Sequence, residues 1–458
     1  MKYCSGDSGS GRAEFIAETL TLAEAQSIDS DSPSQDITIR PFLLSSGVIW
    51  RLKIILTLGR AVFMFPWSWG EIQGENGVKN FEVTRWSPTW ERVWSFGSLI
   101  TLFCSSTLTV FQFSLLINIV KDSPASYRLP FKLYTSACWQ LHSAMLTGIF
   151  LYFKEPMRTY ANTLFAFNRR FVAEHVLTIS QWKKRGGLFM NITVPVLCAQ
   201  IVLSVMRYCS SYKAPLYLTR YWAAETGDDA PSWAILLGAV QDILTSGHLV
   251  AGTLFLGWLT VAHATSLEFW IEEAHSFVTS AVYLVKKLIN QLDFLHSCNY
   301  DSDMTRDELR VREKSMEVYR MAQLVSNLFN NTVGKMAVPM CAFLNLSAAI
   351  GLGYLTVRSM NHFFLEEFPS SVFFPFGAVL TLSSAYAQFQ MSAVLYDMSA
   401  SFLDSWAKTE DLAERRFLSS CQFIKTTAAG FTSVTRNSLV RYFQTVSNYI
   451  IDAVITFP

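Results

Sequence analysis

The sequence predicts an all-α membrane protein with seven transmembrane helices, a cytosolic amino terminus, an extracellular carboxyl terminus and helices extending into the cytosol. Three observations carry that prediction. The 458 residues are 51% hydrophobic and 14% aromatic, and only 16% are charged. The apolar residues gather into segments of about twenty, the length that crosses a bilayer as a helix, instead of alternating as in half-buried strands. Lys and Arg concentrate in alternate connections, as orientation in a membrane requires. A net charge of +1, with no basic run interleaved with aromatics, excludes a nucleic-acid groove.

Residues 1–40 are Ser-rich with an acidic patch, Asp29-Ser-Asp-Ser-Pro-Ser-Gln-Asp36, and hold no apolar signal-peptide core. They are expected to form a disordered cytosolic tail ahead of a single domain, 41–458. Ser46 to Trp67 is apolar but interrupted by Arg51, Lys53 and Arg60 and closed by Pro66, the pattern of an interfacial amphipathic helix. The seven spans are then Trp94 to Val120, Lys132 to Phe153, Gly187 to Arg207, Trp233 to Ala264, Val338 to Val357, Ser371 to Asp397 and Asn437 to Phe457.

Charge fixes their direction. Lys154, Arg158, Arg169, Arg170, Lys183, Lys184 and Arg185 mark the connection after the second span as cytosolic. Ser359 to Ser370 holds Glu366 and Glu367 and no base, so it is external, as is the slightly acidic Tyr208 to Ser232. Lys408, Arg415, Arg416, Lys425 and Arg436 precede the last span on the cytosolic side. Between the fourth and fifth spans, 268–335 is expected to be a cytosolic helical segment. There Val311, Val318, Met321, Val325 and Leu328 keep a heptad-like spacing that offers either a subunit contact or a hairpin packed on its own chain.

The eight cysteines are scattered without a Cys-x-x-Cys or His at ligand spacing, so they read as packing residues, and no metal or cofactor is expected. No His-Glu-x-x-His, Gly-x-Ser-x-Gly or phosphate-binding glycine loop supports an enzyme. Asn191, Asn330 and Asn345 begin glycosylation patterns but fall in spans or cytosol, where they are expected to stay unmodified.

The final segment carries the sharpest signal. Gln444, Asn448 and Asp452 recur every four residues and share one helical face, while Val446, Tyr449, Ile450, Ala453 and Val454 fill the other. An ionised carboxylate at bilayer depth costs about 2.5 kcal/mol or more, so it is kept where water or a partner reaches it. The stripe therefore lines a pore, or else makes a polar contact in a bundle or a solvated helix end.

Ala428-Ala-Gly-Phe-Thr-Ser-Val-Thr-Arg-Asn-Ser-Leu439, leading into that last helix, resembles the Ala-x-Gly-Phe stretch of the arthropod gustatory receptors, within the insect chemoreceptor superfamily. Val325-Ser-Asn-Leu-Phe329 is similar to the family's approach to the fifth span, and Gly59 and Pro66 loosely resemble its Gly-x-x-Pro stretch. Asn448-Tyr449 stands where the family has Thr-Tyr, but Ile455-Thr456 replaces the Gln-Phe that follows, which marks a divergent member.

The resemblance implies a ligand-gated non-selective cation channel of the plasma membrane, acting as a taste receptor. It also implies a homo- or heterotetramer whose last helices line a shared pore. Four copies of Asp452 would form an acidic ring, Asn448 and Gln444 would supply dipoles, and Ile451 and Ile455 are candidates for a hydrophobic gate or for intersubunit packing. A tastant pocket in such receptors faces the extracellular half. The residues placed there are Tyr134, Trp139, Gln140 and His142 on the second span, Gln241, Asp242 and His248 on the fourth, and Tyr354 on the fifth. Asp242 could pair with His142 or with a cationic ligand. The alternatives are a secondary transporter coupling ions through Asp242 and Asp452, and a receptor-like scaffold that does not conduct.

Overall fold

A computed structural model describes residues 46–73, 79–122, 128–176, 195, 199, 201–206, 208–209, 231–274, 309, 312–359, 370–406, 412–428, 430 and 432–456. The expected tail, 1–40, lies outside them, as does most of the expected third span.

The first helix, α1 (Ser46–Ala61), buries Leu52, Ile55 and Leu56, spaced as one helical stripe, and exposes Lys53 and Arg60. It does not run to Trp67 as expected. The chain turns at Phe63, whose φ is 56°, and Met64, Phe65 and Trp67 enter the core. The buried stripe packs along the long helix Ser232–Glu273, so the apolar face of α1 is covered by protein.

Next comes an antiparallel hairpin of β1 (Trp67–Gln73) and β2 (Lys79–Arg85), paired from Trp67↔Arg85 to Gln73↔Lys79. This departs from a purely helical reading. Alternation of Trp67, Trp69, Phe81 and Val83 with polar residues is strand patterning, overlooked beside the long apolar runs.

Helix α2 (Pro88–Asp122) starts with Ser87 O accepting from Glu91 N and Pro88 in the first turn, where a missing N–H costs nothing. Helix α3 (Arg128–His175) kinks at Phe153, ahead of Pro156, which lacks an N–H and crowds the preceding turn. Helix α4 (Ser232–Glu273) and α3 both continue past the expected end of their apolar segments. The overhangs are tied together: the Tyr160 hydroxyl lies 2.7 Å from His263 Nδ1, Asn168 Nδ2 donates to Ser266 Oγ at 2.9 Å, and His263 stacks on Phe329.

Phe329 ends α5 (Arg312–Phe329), whose buried residues are Ser315, Val318, Tyr319, Ala322, Val325, Ser326 and Phe329. That face packs on α3 and α4 of its own chain. Of the heptad set, only Val318 and Val325 are on it; Met321 and Leu328 are half-buried, and Val311 lies outside the described residues. The apolar stripe of α5 is consumed within the chain.

A π-helical turn, Asn330–Gly334, leads into α6 (Ala337–Ser359), followed by α7 (Ser370–Trp406), α8 (Leu412–Ser420), a short ladder of β3 (Thr427–Ala428) with β4 (Thr432–Ser433), and α9 (Arg436–Thr456). Among the described residues, α2, α4 and α6 are long and apolar enough to cross a membrane. The expected second, sixth and last spans are helical within α3, α7 and α9 but carry more polar residues. On α3, Gln140, His142, Ser143 and Thr147 are buried. Helix α2 instead exposes Phe96, Leu99, Phe103, Val110 and Ile117, an apolar face of the kind that suits lipid.

Candidate functional site

Helix α9 begins at Thr435, whose carbonyl accepts from Ser438 N, while Ser438 Oγ accepts from Thr435 N at 3.2 Å, a reciprocal start of the capping-box kind. Arg436 Nε holds Asp397 Oδ2 of α7 at 2.7 Å. From there the helix packs only one face. Tyr442 and Val446 meet Ala349 of α6 and Ala385 of α7, and Ala453 meets Leu352 and Leu355. At Gly353 a Cβ would lie 2.5 Å from Ile450 Cδ1, so the missing side chain lets α9 approach α6 closely.

Among the described residues, nothing covers the opposite face. Gln444, Asn448 and Asp452 are exposed, Ile451 is 54% exposed and Ile455 71%. Tyr449, expected on the packed side, is also exposed. The packed strip is narrow and rotated toward Ile450: among the described residues α6 and α7 make most of its contacts, and Gly353 draws Ile450 in.

On the other side of α6 and α7, two adjoining cavities of ≈ 40 and ≈ 50 Å³ open between these helices and α3 and α4. Both are lined by His142, Thr253, Asn345 and Ser384; Trp139 and Thr381 border one, Cys341 and Gln388 the other. His142 Nε2 is buried with no hydrogen-bond partner. Such space holds water or a small polar group, and a larger guest requires the helices to part.

Trp139 and His142 therefore border these cavities, whereas Tyr134, Gln140, Gln241, Asp242, His248 and Tyr354 do not. Gln241 Nε2 donates to Thr245 Oγ1 at 3.0 Å, His248 Nδ1 lies 2.9 Å from the Thr147 hydroxyl, and Tyr354 stacks on Phe131. Asp242 is buried but does not pair with His142. Sequence reasoning missed Thr253, Asn345 and Ser384. Asn345 had a signal, an amide inside an apolar span, but its Asn-Leu-Ser context drew a glycosylation reading.

The segment feeding α9 is anchored below the cavities. Asn330 Nδ2 donates to Lys425 O at 2.7 Å and its Oδ1 accepts from Thr427 N at 2.8 Å, so one amide grips the chain as a neighbouring strand would. The Tyr319 hydroxyl donates to Gln422 O at 3.0 Å and meets Ser399 Oγ at 2.7 Å, while Ser399 Oγ accepts from Ile424 N. Burial pushes the Tyr319 hydroxyl up to about 12, against the lowering effect of Ser399, so it stays a donor.

No protein-family model and no curated protein matches the chain. Among solved structures it is similar to the insect olfactory receptor OR5 from Machilis hrabei in complex with eugenol, with 13% identity over 90% of this chain and 100% of that one and a TM-score of 0.48. It is also similar to the same receptor in a second structure, with 10% identity over 90% and 99% and a TM-score of 0.49.

Proposed function

We propose that the chain is one subunit of a ligand-gated, non-selective cation channel of the plasma membrane. Seven helices span the bilayer, and α9 of each of four copies lines the pore. The observation that carries this reading is the two-sidedness of α9: its apolar strip is spent on α6 and α7, while Gln444, Asn448 and Asp452 have no cover among the described residues. Facing acyl chains, Asp452 costs about 2.5 kcal/mol or more; facing a shared wet axis, it lowers the energy of a cation. Ile451 and Ile455 close that axis by dewetting when they converge.

Helices α6 and α7 supply the coupling. Asn345 and Ser384 border the cavities, and the neighbouring Leu346 and Ala385 press on α9. A small tastant that enters beside Trp139 and His142 parts these helices, and the pore wall moves with them. The gustatory role rests on the resemblance of the Ala-Gly-Phe segment.

The test expresses the chain and records current while compounds are applied, comparing wild type with Asp452→Asn. A ligand-evoked cation current that falls several-fold in the variant supports the proposal. Saturable uptake without conductance points to a transporter and overturns it. Current insensitive to Asp452→Asn removes α9 from the pore.

A further inference from the structure

From the structure we infer a second site, one for a phosphorylated anion, in the polar cavity between α5, the π-helical turn and the strand-like segment that feeds α9. The cavity measures ≈ 430 Å³, far larger than either space in the helix bundle. Arg320, Lys425, Gln323, Asn327, Asn331 and Ser420 line it, and among the described residues no carboxylate does.

Among the described residues, the two cations have no counter-charge. Arg320 is held by neutral oxygens, Gln323 Oε1 at 3.3 Å and Ser420 Oγ at 2.9 Å, with its guanidinium carbon 4.6 Å from the Phe417 ring centre. Lys425 makes no ion pair among the described residues. A guanidinium kept in place by neutral groups retains donors for phosphate oxygens, and surrounding amides and hydroxyls complete the recognition of a polar headgroup. The size suits a phosphorylated sugar or polyol better than a single phosphate.

Position narrows the source. Asn330 lies about 10 Å along the chain before the apolar α6 begins, at a rise of about 1.5 Å per residue, which is headgroup depth on the inner leaflet for the proposed orientation. Both a phosphoinositide headgroup and a soluble inositol phosphate satisfy the chemistry. Either one, bridging Arg320 of α5 to Lys425 of the linker, fastens the segment that leads into α9.

The full-length protein in nanodiscs distinguishes them without any measurement of current, so the outcome is separate from the channel proposal. Inositol hexakisphosphate is titrated onto protein in phosphatidylcholine discs, and discs containing phosphatidylinositol bisphosphate are compared by native mass spectrometry for retained lipid. Saturable binding of at least one probe is expected, weakened about tenfold by Arg320→Gln and by Lys425→Gln. It should be kept by Lys425→Arg and by Arg416→Gln, an exposed cation outside the cavity. Retention of the lipid without the soluble probe assigns a lipid ligand, and the reverse assigns a cytosolic one. If the Gln variants do not fold, acylation of Lys425 in the wild type should slow at least several-fold when the bound probe is present. Binding of neither probe, binding that ignores both cavity substitutions, or an unprotected Lys425 overturns the site.

Discussion

At the residue scale, two Asn side chains and one buried His organise the region around the proposed pore. Asn330→Ala removes two bonds to the linker and leaves Thr427 N and Lys425 O without them. It should lower stability by about 2 kcal/mol in thermal unfolding, whereas Arg416→Ala should be near neutral. His142→Leu removes an unpartnered buried nitrogen, so stability should hold or rise while the ligand concentration for half-maximal current increases by about tenfold. At the base of the hairpin, burial raises the Glu155 carboxyl, but the Arg85 hydrogen bond and the charges of Arg158 and Arg85 outweigh it and hold it below its usual value. A depressed carboxyl contributes stability that is present above the unfolded value of about 4.3 and fades as pH falls through the lower folded value. Because Arg85 is 57% exposed, that contribution is about 1 kcal/mol or less, and an Arg85→Ala comparison across that acid range should show a correspondingly small step. Periodicity made Gln444, Asn448 and Asp452 legible because one helix carries all three. Asn345, Thr253 and Ser384 come from separate helices, and no spacing in a linear chain joins them.

At the element scale, the apolar segments located the helices, but composition said little about what covers each face. The stripe on α5 was visible and its partner was not: a heptad-like pattern is the same whether it meets another subunit or α3 and α4. The hairpin was within reach of a strand reading through Trp67, Trp69, Phe81 and Val83, yet seven residues per strand carry little weight beside spans three times as long. Two glycines separate hard from soft contacts. A Cβ at Gly334 would lie 2.8 Å from the Thr427 carbonyl oxygen, whereas one at Gly353 meets only the flexible end of Ile450. Gly334→Ala should therefore cost about 1–3 kcal/mol, and Gly353→Ala less than that, when both are compared by thermal unfolding.

At the scale of the whole molecule, the proposal requires that the bare face of α9 meet its symmetry mates. Ile455→Cys should form oxidant-dependent dimers between copies in membranes, read on non-reducing gels, and Phe96→Cys on the outward face of α2 should not; equal yields at both positions would count against a shared axis. The arrangement of α6 and α7 between the cavities and α9 also divides labour within a single helical turn: Asn345 looks one way and Leu346 the other. If the channel proposal holds, what the protein detects and what it passes are set by adjacent letters of the sequence on opposite surfaces, so a lineage can exchange one set of side chains while leaving the other untouched.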